Sequence, residues 1–308
     1  MSQDDDAHSA PNAAPAQASG RRRVRDYFTI PPPVKRLFDR FPLVIYAPNE
    51  LPASSPQRRR DTQTEQLHTL YIFSTREDAR HGRPSFNPTC LKWQAYLMFK
   101  NVAFAAIASN NHASPSGALP FLLPRPHKDS SPTDPGAPIP SNKLERWVSK
   151  QEGGSEVPYN MRYDAYISLL DHRIRNAWLY NLYLEPTNAS VMRRLYIDPC
   201  SSSPVVTAAI AHQLRTAAEA EIAKATGSVH VSNIYSEADK AFGALSTLLG
   251  EDRWFFGADQ PGLFDASVFA YTYQLLTEQG WGHRDLVDYV NKRENLVAHC
   301  KLISEAFF

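Results

Sequence analysis

Proline divides this chain in two. Twenty of the 24 prolines precede residue 161 and four follow it. Proline removes a backbone donor and clashes with the preceding helical turn, so the first half must be loop-rich while the second can be mostly helix. A chain of 308 residues fits one large or two ordinary domains, and 43% hydrophobic residues are enough for a core. Its 33 basic and 32 acidic residues leave a net charge of +1, which gives no reason to expect a nucleic-acid partner. Cys90, Cys200 and Cys300 are widely spaced, with no CxxC, and fit a reducing compartment better than a disulfide framework. The histidines show no HxxxH or HExxH spacing, so no metal site is expected. No run of about 18 apolar residues predicts a membrane span. The acidic start, MSQDDDAHSA, lacks the features of a signal peptide or a mitochondrial presequence.

Residues 1–65 read as a tail and an extended docking segment. The first 20 are too polar to order themselves. Arg21, Arg22, Arg23 and Arg25 follow, and then Val34, Leu37, Phe38 and Phe41 fall on one face of a short helix bracketed by prolines. That helix either packs on its own domain or docks on a partner or a membrane surface. From 66 to 150 the signals run strand (70–74), helix (90–100), strand (102–108), strand (119–123), then a polar linker with a short helix at 143–150. A strand–helix–strand order implies a parallel pair. From 160 to 308 the period is helical: 161–184, 204–227, 233–249, 263–278, 284–290 and 296–306. In 204–227, which Gly227 closes, Ile210, Leu214, Ala217 and Ile222 make the inward stripe, and in 233–249 Tyr235, Ala238, Phe242, Leu245 and Leu249 point inward. The fold class is therefore α+β, a small α/β domain followed by an all-helical one.

The stretch SFNPTCLKWQAYLMF leads from a strand through a proline turn into a helix. This is similar to the way thioredoxin-like and glutathione-transferase-like proteins build an active site, with a Cys, Ser or Tyr at or near the turn. Here Asn87 precedes the proline and cannot ionise. Cys90 lies in the first helical turn, where the helix dipole favours its thiolate and burial opposes it, so it reads either as a packed core thiol or as a reactive one. Ser116-Gly117-Ala118-Leu119-Pro120-Phe121-Leu122 resembles the turn that carries the fold's cis-proline. Gln260-Pro261-Gly262-Leu263-Phe264-Asp265 resembles the start of its buried helix, where Asp265 stands at the acid position of a capping box whose N-cap is Gly262. The counterpart of the family's acidic-Ser glutathione clamp, Pro140-Ser141-Asn142, keeps Ser141 and has no acid. Tyr71 and Tyr163 could supply a hydroxyl, but both read more simply as core aromatics.

The wording of NPTCLKWQAYLMF, SPSGALPFL, WFFGADQPGLFDASVFAYTYQLL and NLVAHCKLISEAFF resembles the metaxins and their fungal counterparts in the mitochondrial sorting and assembly machinery (SAM complex). The long extension FTIPPPVKRLFDRFPLVIYAPNELP is similar to that of the smaller fungal metaxin-like subunit. The resemblance implies a glutathione-transferase-like fold without catalysis, cofactor or metal, in which Pro120, Asp265 and Cys90 are structural. It implies a peripheral protein on the cytosolic face of the mitochondrial outer membrane. The partners it implies are the β-barrel assembly channel, a second metaxin-like subunit and β-barrel precursors, reaching the membrane surface through the partner. A glutathione-dependent transferase is the alternative.

Overall fold

The structure is a computed structural model that describes residues 67–125, 137–151, 161–226 and 230–308. The proposed docking residues Arg21, Arg22, Arg23, Val34, Leu37, Phe38 and Phe41 lie outside the described residues. So does Gly227, expected to close the 204–227 helix.

Strand β1 spans His68–Ile72, two residues earlier than expected. It is followed by a short helix α1, Arg76–Arg80, which the sequence reading missed. Helix α2 runs Pro88–Phe99. It begins two residues before the expected Cys90, because Asn87 is its N-cap and Pro88 occupies the first turn, where the missing N–H costs nothing. Strands β2 (Phe104–Ala108) and β3 (Phe121–Leu123) follow. A fourth strand, β4 (Ile139–Pro140), lies inside the stretch read as a linker and runs straight into α3 (Ser141–Gln151). Two residues ending in proline carry no strand signal; the pairing of Phe121 with Pro140 at the sheet edge makes them one.

The sheet order is β2-β1-β3-β4. β1 and β2 are parallel, with Leu70 beside Ala106, as the strand–helix–strand order requires. β3 is antiparallel to β1, with Leu70 beside Leu122. α2 is buried on nearly every side: Cys90, Leu91, Trp93, Ala95, Leu97 and Phe99 are all in the core. A helix buried all round must be covered on two faces. The sheet side supplies one cover, and the helical half of the chain supplies the other.

That half opens with α4, made of Met161–Leu169, a π-helical stretch Leu170–Ile174, Arg175–Leu179 and a second π-helical stretch Tyr180–Leu184. α5 (Ala189–Met192) continues into a third, Arg193–Ile197. This segment was also missed. Then come α6 (Pro204–Thr226), α7 (Val231–Leu249), α8 (Leu263–Thr277), α9 (Asp285–Asn291) and α10 (Glu294–Phe307). In α7 the expected inward residues Tyr235, Ala238, Phe242, Leu245 and Leu249 are buried. In α6 the expected stripe is only partly inward: Ile222 is buried, Ile210 and Leu214 are half-buried, and Ala217 is exposed.

The two halves share one apolar cluster. It takes Leu91 and Leu97 from α2, Leu122 from β3, Ala266 and Phe269 from α8, and Ile303 from α10. Each large side chain in it contributes about 1.5–3 kcal/mol by leaving water. Phe99 packs edge-on against Phe307, with ring centroids 4.7 Å apart, so the C-terminus closes over α2.

Candidate functional site

The site where a thiol would be activated lies at the start of α2. Asn87 has extended backbone, and its Oδ1 accepts the Cys90 N–H at 3.2 Å. Its Nδ2 donates to the Tyr196 hydroxyl at 3.1 Å. Both ends of the amide are thereby committed, one to capping α2 and one to the helical half of the chain. Tyr196 is buried, and its hydroxyl is also hydrogen-bonded to Tyr183. Loss of water around both phenols raises their pKa values, well above the usual 10 for Tyr196 and to about 12 for Tyr183. Neither is a phenolate at neutral pH.

Aromatic rings close over the same spot. Tyr196 packs edge-on against Phe73 at 5.5 Å and Phe86 at 5.2 Å, and Tyr183 lies 5.8 Å from Tyr196. Phe73 follows β1 and Phe86 immediately precedes Asn87, whereas Tyr183 and Tyr196 come from two different π-helical stretches. A π-helical stretch shifts the face that follows it, which sequence periodicity of 3.6 does not register.

The loop into Asn87 is pinned by buried amides. The Ser85 N–H donates to Gln94 Oε1 at 3.0 Å, and Gln94 Nε2 donates to the Arg83 carbonyl at 2.9 Å. The Ser85 hydroxyl donates to the Phe73 carbonyl. Gln274, 189 residues away on α8, donates to the Ser85 carbonyl. Ser85, Gln94 and Gln274 carry no individual sequence signal, because only the assembled fold brings them together.

Cys90 is fully buried, with the Phe73 N–H donating to its Sγ at 3.5 Å. Burial pushes its pKa up to about 12, and that of buried Cys300 to about 11. Cys200 is exposed. In the native protein a thiol reagent should therefore modify one cysteine quickly, and Cys200→Ser should remove that fast phase. A thiol whose pKa is higher folded than unfolded stays protonated where the unfolded chain ionises. Its stabilising contribution is full below the unfolded value of 9.0 and is lost as pH rises from there toward about 12. Fast labelling of Cys90 at pH 8 would contradict its packed position.

The Leu119–Pro120 bond is cis, Pro120 is buried, and the Leu119 N–H donates to Asn111 Oδ1 at 3.0 Å. Ser141 begins α3, with Pro140 before it and no acid. Tyr71 is buried and stacked on Phe121 at 4.4 Å. Tyr163 packs on Phe256 and Phe264, and burial raises its pKa. Asp265 Oδ2 accepts the Gly262 N–H at 2.9 Å, closing the start of α8 without a hydroxyl partner. Its Oδ1 accepts the Phe255 N–H and lies 3.0 Å from His299 Nε2, two contacts the sequence did not suggest.

Cavities of about 740 and 410 Å³ lie elsewhere. The larger sits between α4 and α6 and the smaller between α4 and the end of α6; Asn87, Cys90 and Pro120 line neither. Among the described residues no group of His, Cys, Asp and Glu is placed to hold a metal, and no helix is long and apolar enough to cross a membrane.

This order of elements, with the cis-proline turn and the capped buried helix, is the glutathione-transferase fold. Residues 88–188 match the family described as Glutathione S-transferase N-terminal domain, and residues 238–303 match Glutathione S-transferase, C-terminal domain. Among solved structures, a glutathione transferase from Phanerochaete chrysosporium superposes with a TM-score of 0.50 at 12% identity, over 79% of this chain and 97% of that one. A glutathione S-transferase of Ceriporiopsis subvermispora in complex with glutathione gives 0.49 at 15% identity, over 79% and 98%. Within this class the chain is similar to Metaxin-3 of Danio rerio, 29% identical over 152 residues. That match covers 47% of each protein, so it spans about half the length of the relative.

Proposed function

We propose that this chain is a non-catalytic subunit of the mitochondrial outer-membrane machinery that sorts and assembles β-barrel proteins. It sits peripherally on the cytosolic face and binds the assembly channel and a second metaxin-like subunit, helping to engage β-barrel precursors. The observation that carries the non-catalytic part is Asn87. The residue at the thiol-activating position cannot ionise, and both ends of its amide are already hydrogen-bonded. The aromatic cover over it, the buried Cys90 thiol and the missing acid before Ser141 all weaken a glutathione site further. The likeness to Metaxin-3, with the metaxin-like wording of the sequence, supports the assignment to the mitochondrial outer membrane. The fold leaves the partner-binding role to its surfaces, and Arg21, Arg22, Arg23, Val34, Leu37, Phe38 and Phe41 are the first to test for channel binding.

Two measurements separate this reading from a glutathione-dependent transferase. Purified protein should neither conjugate glutathione to an electrophile nor be retained on immobilised glutathione. Depleting it from mitochondria should slow the assembly of newly imported β-barrel proteins, while import of matrix proteins continues. Conjugation that is lost in Cys90→Ala would establish the transferase instead, and normal β-barrel assembly after depletion would remove the proposed role.

A further inference from the structure

We draw no further inference here: the strongest candidate, the exposed apolar face of α6 with the groove of about 740 Å³ between α6 and the end of α4, carries nothing, because nothing in the structure shows what covers it.

Discussion

Replacing Asp265 by alanine lowers the stability of the folded chain by about 3–5 kcal/mol, because three hydrogen bonds are lost together and leave buried donors unsatisfied at about 1–2 kcal/mol each. A cap alone contributes about 1 kcal/mol. Asp265 does more than cap. It is 2% exposed and serves three donors: the Gly262 N–H at the start of α8, the Phe255 N–H in the preceding turn, and His299 on α10. Truncation would leave a buried N–H and a buried imidazole without partners, each costly in a water-free site. The readout is the midpoint of thermal or urea unfolding, with an expected fall of roughly 10 °C for a chain of this size. Asp265→Asn should cost less, because the amide oxygen still accepts. Pairing Asp265→Ala with His299→Leu should recover part of the loss, because both polar partners then leave together. A shift near 1 kcal/mol for Asp265→Ala would reduce the residue to an ordinary helix cap.

Tyr196→Ala should cost a similar amount, about 3–5 kcal/mol, the range for truncating a large buried aromatic. It removes the ring that Phe73 and Phe86 pack against and the hydroxyl that Asn87 donates to. Tyr196→Phe keeps the ring and should cost about 1–2 kcal/mol, since one end of the Asn87 amide is left unpaired. The alanine variant also bears on function. It opens space beside the start of α2, yet Asn87 still offers no group that can activate a thiol. Glutathione conjugation should therefore stay at background in both variants. Activity appearing in Tyr196→Ala would mean that the aromatic rings merely plug a competent site.

Much of the architecture was legible because local chemistry and fold agreed. Proline fixed where continuous helix could occur. Apolar periodicity placed the inner face of α7, and the Gly-Ala-Leu-Pro turn and the Gly-Leu-Phe-Asp start of α8 each occupy a few consecutive residues with a local geometric job. The misses share a cause. β4 is two residues ending in proline, and α5 is a short helix entering a π-helical stretch, so neither presents a period long enough to read. The stripe expected on α6 is only partly inward, because its periodicity places Ala217 at the edge of the covered face, where it faces outward.

The absence of an ionisable group at Asn87 and of an acid before Ser141 was determined by the sequence alone, since no packing can turn an amide into a nucleophile or supply a missing carboxylate. Whether Cys90 was reactive was not, because a first-turn thiol is favoured by the helix and opposed by burial, and only the depth of burial decides between them. Tertiary structure encloses the thiol, with the Phe73 N–H on its sulfur, which weighs on the side of burial. It also brought Tyr196 and Gln274 onto a loop 109 and 189 residues earlier in the chain. Contacts at that separation depend on how α2, the stretch after α5 and α8 pack together, and no local pattern encodes them.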